Sequence, residues 1–190
     1  ILFRNDGGWR FSNVTQSVGF EQNNRRFSFA AAWEDFDNDG DLDLYVANDY
    51  GRNNLFRNDD GQFTDVADEL GVEDISAGMS VTWGDYNRDG MMDLYVSNMW
   101  SSAGNRIAYQ RQFQESADDA TLQQYQRHAR GNSLFENVGS TGPFRDVSVP
   151  AAVTMGRWAW SSHFADINND GWQDLLVANG FVTQEDTSDL

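Results

Sequence analysis

The chain has 190 residues, enough for one domain with a sizeable core. Its net charge of −17 disfavours nucleic acid and anionic membrane as partners. It contains no Cys, which excludes zinc–thiolate sites, disulfides and a cysteine nucleophile. Seven Trp and 13 Phe mark a folding chain rather than a disordered one, and no stretch is apolar enough to span a membrane.

The chain opens on Ile1-Leu2-Phe3-Arg4-Asn5, which already belongs to a repeated phrase. No signal peptide precedes it, so the sequence reads as a mature piece or a fragment of something longer. The phrase returns as Leu55-Phe56-Arg57-Asn58 and as Leu134-Phe135-Glu136-Asn137. Each copy runs through an Asn- or Gly-rich turn into a second short apolar run ending at Val14, Val66 or Val147. That pattern predicts a β-hairpin. A third strand with period-2 alternation follows each hairpin. It carries Phe29, Ala31 and Trp33 in the first copy, Met79, Val81 and Trp83 in the second, and Trp160, Ser162 and Phe164 in the third.

Next comes an acidic loop, Asp-x-(Asp/Asn)-x-Asp-Gly-x-x-Asp, starting at Asp35, Asp85 and Asp166. A fourth strand follows, apolar at almost every position and ending in Asn48, Asn98 or Asn179. Such a strand is expected to be buried on both faces. The repeats span about 1–52, 53–98 and 132–180, with an acidic tail at 181–190. Four strands in about fifty residues is the pattern of a β-propeller blade, and blades must stack to bury both faces. The expected fold is therefore all-β: three four-stranded propeller repeats, part of a larger propeller, with a helical insertion.

Residues 99–131 are that insertion. Runs at 107–113 and 120–130 are rich in Gln, Ala, Arg and Leu, and they predict one or two short helices. Asp118 or Asp119 stands where a cap for the second is needed. With Arg106, Arg111, Arg127 and Arg130, the insertion is slightly basic on an acidic chain.

The loops hold eleven of the 30 acidic residues. Carboxylates this crowded repel one another unless a cation offsets the repulsion. Hard oxygen ligands around a turn glycine point to calcium rather than zinc or copper. An EF-hand needs a Glu at loop position 12, whereas Val46, Val96 and Val177 stand there, inside apolar strands. The plain alternative is three acidic turns that bind no metal.

The three loops and three Leu-Phe-x-Asn hairpins resemble the FG-GAP/VCBS repeat propellers, including integrin α-subunit propellers and bacterial ASPIC/UnbV-type proteins. The resemblance covers everything except the insertion and the last ten residues. It implies three Ca2+ sites between third and fourth strands. Site 1 takes the side chains of Asp35, Asp37, Asp39 and Asp43 with the Asp41 carbonyl. Site 2 takes Asp85, Asn87, Asp89 and Asp93 with the Met91 carbonyl. Site 3 takes Asp166, Asn168, Asp170 and Asp174 with the Trp172 carbonyl. Site 1, with the most carboxylates, is expected to bind tightest. Sites of this kind fill where calcium is abundant, which suggests an extracellular, periplasmic or cell-surface location.

Other residues carry weaker signals. His128 and His163 have no nucleophile pattern beside them. Trp158, Trp160 and Trp172 are open to two readings, a sugar platform or blade packing. Asn13-Val14-Thr15 fits a glycosylation acceptor, a tripeptide that also arises by chance. Two functions stay in view. One is a calcium-binding module for protein or glycan interaction, using 99–131 as a binding face or pairing with other blades in cis or trans. The other is a propeller-based polysaccharide lyase or hydrolase with calcium at or near the site. No base, acid and electrophile gather in the sequence, so the binding module leads.

Overall fold

A computed structural model describes residues 1–180 of the chain; the acidic tail, 181–190, lies outside the described residues. The Leu-Phe-x-Asn phrases do form hairpins: β1 (Phe3–Gly7) with β2 (Arg10–Asn13), and β5 (Asn54–Asp59) with β6 (Gln62–Asp65). The third copy pairs β9 (Ser133–Glu136) with β10 (Arg145–Asp146). The third strands are β3 (Ser28–Glu34), β7 (Gly78–Gly84) and β11 (Ala159–Ala165). The fourth strands are β4 (Asp43–Asn48), β8 (Asp93–Asn98) and β12 (Asp174–Asn179). Each acidic loop joins a third strand to a fourth.

Hydrogen bonding groups these strands in a different phase from the sequence repeats. The sheets are β3-β4-β5-β6 and β7-β8-β9-β10, flanked by the two-stranded β1-β2 and β11-β12. Each hairpin thus completes the sheet of the preceding repeat. The register Leu44↔Phe56 and Tyr45↔Leu55 recurs as Leu94↔Phe135 and Tyr95↔Leu134. All pairings are antiparallel, and the described residues form no closed ring.

The sheets stack face to face with a core at each junction. Phe36, Tyr45, Leu55, Val96, Phe135 and Phe144 fill the space between the two four-stranded sheets, with Trp83 packed against them. Tyr95, Leu134 and Phe164 join the second sheet to β11-β12. Phe20, Leu44 and Phe56 join the first sheet to the opening hairpin through Leu2. β7 lies between β3 and β11.

Burial corrects one expectation. β4 and β8 are buried almost throughout, as their apolar runs require, but β12 is largely exposed, with Leu176 at 62%. The reason is packing: β4 and β8 each have a hairpin on their outer edge, and among the described residues β12 has none. Likewise the Phe29, Ala31 and Trp33 face of β3 is exposed, while its counterpart on β7 packs against the first sheet.

The insertion contains α1 (Ser102–Ala108) and α2 (Asp119–Arg130). It leaves from β8 and returns into β9, so it interrupts one sheet rather than separating two. α2 lies where its sequence predicts, and Asp118 caps it by accepting from the Thr121 amide at 2.7 Å. α1 starts earlier than the 107–113 run suggests, because Ser101 caps at Gly104 (2.9 Å), and residues beyond Tyr109 turn out of helix.

Candidate metal centre

Each loop is wrapped by its own carboxylates. Asp35 accepts from the Asp39 and Gly40 amides, both at 3.0 Å, and Asp39 accepts from Asp41 N at 2.8 Å. Asp85 does the same with Asp89 and Gly90, and Asp166 with Asp170 and Gly171. Gly40, Gly90 and Gly171 have φ of 96°, 85° and 86°, a region that favours glycine. The residue two before each is also left-handed: Asn38, Arg88 and Asn169, at 59°, 63° and 60°. Asn tolerates that conformation, and Arg does so at a cost. Arg88 reaches across to the next loop, its guanidinium 5.1 Å from the Trp172 ring centroid.

In loop 1, Asp35, Asp37 and Asp39 each bring a carboxylate oxygen within 4.8 Å of the others. That is twice the roughly 2.4 Å calcium–oxygen distance, so one ion can touch all three. In loops 2 and 3 the middle carboxylate is an Asn. Asn87 donates to Asp89 at 3.0 Å and Asn168 to Asp170 at 2.9 Å. The ninth-position Asp is set deeper. Asp43 and Asp93 are fully buried, each accepting two backbone amides: Phe36 and Asn58 for Asp43, Tyr86 and Asn137 for Asp93. Asp174 accepts one among the described residues, from Ile167 at 3.1 Å.

Burial pushes the Asp43 carboxyl up to about 6 and the Asp93 carboxyl up to about 7, despite amide bonds that favour the ionised form. Burial, then the nearby Asp39, raises the Asp37 carboxyl as well. Crowded oxygens whose ionisation is opposed are the donor set a hard divalent cation suits, and bound calcium would supply the cancelling charge. The remaining named positions are backbone ligands in the expected set. The Asp41 side chain turns away and accepts from Asp60 N at 2.9 Å. Met91 borders a cavity of about 300 Å³ with Asp37, Arg57 and Phe144, and Trp172 is half-exposed under Arg88.

Some residues that organise the fold carry no motif signal. Tyr45 donates to Val72 O at 2.7 Å and accepts from Asn53 at 3.1 Å. Tyr95 repeats this with Val153 O and Asn132. Asn53 and Asn132 also accept from the amides of Asn48 and Asn98, both at 2.8 Å. Their repetition at the same repeat position was the available clue. His128 and His163 are both exposed, on α2 and β11, in different parts of the fold. Trp158 and Trp160 meet edge to face, 6.5 Å apart, and Phe29 approaches Trp160 at 6.3 Å.

Stacked antiparallel sheets, three of them carrying an Asp-rich loop between third and fourth strands, define a repeat protein of the β class. Residues 35–96 and 118–177 match the model of the FG-GAP-like repeat, well over half the chain, and the chain belongs to that family. Both matches end in a fourth strand, at Val96 and Val177. No curated protein matches the chain. Among the described residues no helix is long and apolar enough to cross a membrane.

Proposed function

We propose that this chain is a calcium-stiffened propeller module that binds a protein or glycan outside the cytoplasm. The three carboxylate oxygens of loop 1, within 4.8 Å of one another, carry the reading. Calcium in loops 1, 2 and 3 ties each third strand to its fourth and cancels charge, so its role is structural. FG-GAP-like repeats are typical of extracellular proteins, where calcium is abundant enough to fill such loops. The helical insertion departs from the repeat and offers a surface for a partner.

Calorimetry tests the metal reading. Calcium should bind, with loop 1 tightest, and Asp37→Asn should weaken that site selectively by removing one of its charges. Heat signals unchanged by D37N, or absent altogether, would sink it. The lyase or hydrolase reading draws on one observation, the cavity beside loop 1 lined by Asp37 and Arg57. Arg57 is held by Asp59 at 3.0 Å, which leaves it less free to meet a substrate acid. Release of sugar ends from acidic or neutral polysaccharides, lost in Arg57→Ala, would move that reading ahead.

A further inference from the structure

The buried ninth-position carboxylates of loops 1 and 2 are joined by a short run of hydrogen bonds. Asp43 accepts from the Phe36 amide at 3.1 Å. The Phe36 carbonyl accepts from the Asn137 side-chain amide at 2.7 Å. The backbone amide of Asn137 donates to the Asp93 carboxylate at 2.8 Å. Phe36 and Asn137 alone therefore connect one loop to the next. Both carboxylates are fully buried, and Asn137 is 4% exposed. We propose that calcium binding at loop 1 and calcium binding at loop 2 strengthen each other, with Asn137 as the residue that couples them. The coupling rests on the calcium reading of the loops and adds to it a regulation of the same sites.

Asn58 holds the equivalent place in the first sheet. Its backbone amide donates to Asp43, its side-chain oxygen accepts from Gly61 N, and its side-chain amide donates to the Leu42 carbonyl of loop 1. Asn137 repeats all three bonds with Asp93, Gly139 N and the Met92 carbonyl of loop 2. The bond to Phe36 comes in addition. Both hydrogens of its side-chain amide are then in use, one by each loop. A side chain held in this way cannot follow one loop without pulling on the other.

The loop tips meet as well. The Asn38 side-chain amide of loop 1 donates to the carbonyl of Gly90, the turn glycine of loop 2, at 3.4 Å. Loops 1 and 2 thus touch both in the buried layer and at the surface.

The sign follows from what each ion must order. Without a cation, the crowded carboxylates repel and loosen a loop. An ion seated in loop 1 fixes Asp43, and with it the Phe36 peptide that holds Asn137. Asn137 is then already ordered when loop 2 fills, so the second ion binds more tightly. Direct repulsion between the two ions acts the other way and is weakened by salt. Linkage makes the effect mutual: each loop changes the affinity of the other by the same factor.

Calcium calorimetry on the full chain, with loop 3 silenced by Asp170→Ala, tests the coupling. Adding Asp89→Ala silences loop 2 and should weaken calcium binding at loop 1 about fivefold or more. Adding Asp39→Ala instead should weaken loop 2 by the same factor. The lost negative charge also acts through space, and that part persists when Asn137→Ala is introduced into each pair. The part carried by Asn137 should vanish there. A second measurement leaves Asn137 in place. With loop 2 silenced, calcium at loop 1 should slow hydrogen exchange at the amides of Tyr86 and Asn137, which hold Asp93. Two loops that bind without responding to each other, a loop 1 that tightens when loop 2 is silenced, unchanged exchange at those amides, or full weakening retained with Asn137→Ala would overturn the coupling and leave the calcium reading standing. No calcium uptake by the unaltered chain would overturn both.

Discussion

At the scale of the residue, the loops set a conflict between burial and charge. Asp43 and Asp93 have folded-state carboxyls raised to about 6 and about 7, above the ordinary 3.8. Protonation therefore favours the folded state. In the absence of divalent cations, that stabilisation is complete below about pH 4 and is lost as pH rises to about 7. Asp146 has the opposite sign. Burial opposes its ionisation, but the Ser148 hydroxyl bond, then Arg130 and Arg127, hold its carboxyl below 3.8, so its contribution is lost only in stronger acid. Thermal melts in EDTA should show the melting temperature falling between pH 4 and pH 7, and added calcium should remove most of that fall. A flat profile in EDTA would contradict the account. The loop turns were legible because the Asp and Gly spacing states the turn geometry, which the left-handed Gly40, Gly90 and Gly171 adopt. The left-handed Asn38, Arg88 and Asn169 were not, since neither Arg nor Asn announces that conformation unless the copies are compared position by position.

At the scale of the element, α2 shows what a helix must do to interrupt a sheet. Its C-terminal end is pinned by ions rather than by a buried apolar stripe, and none of its residues is fully buried. Arg127 pairs with the fully buried side chain of Asp74 at 3.0 Å and with Asp146 at 3.2 Å, over the Phe135 ring. Arg130 pairs with Asp146 at 2.9 Å. Arg127→Ala would leave the buried Asp74 carboxylate without its cation, held only by Asn98, at a cost of about 3 kcal/mol. For a chain of this size that lowers the melting temperature by roughly 6–12 °C. Differential scanning calorimetry reads the shift, and hydrogen exchange should show α2 released first. The sequence declared this helix through its composition and Asp118, but it could not declare the docking, because Asp74 lies 53 residues away. The phase of the sheets was hidden for a related reason. Hairpin, strand, loop and strand repeat cyclically, so the sequence period alone leaves open which hairpin bonds to which fourth strand. Only the pairing of Leu44 with Phe56, rather than with Phe3, decides it.

At the scale of the whole molecule, the acidic loops and the cores between sheets are one device. In loops 1 and 2 the second residue turns away from the carboxylates and enters the next sheet: Phe36 contacts Trp83 and Phe144, and Tyr86 lies in the core with Phe164. The amide of that same residue donates to the ninth-position Asp, Phe36 to Asp43 and Tyr86 to Asp93. A cation that fixes the loop thus also fixes the wedge that joins neighbouring sheets. Close approach elsewhere agrees, since a Cβ on Gly84 would meet Phe164 at 2.6 Å. Phe36→Ala removes a buried aromatic ring and should cost about 3–5 kcal/mol whether or not calcium is present. Calcium should raise the melting temperature of the wild type by mass action. In F36A that rise should shrink, because loop 1 no longer grips the second sheet, while the site-1 affinity measured by calorimetry stays close to wild type. A full calcium-dependent rise in F36A would mean that the ion braces only its own strand pair.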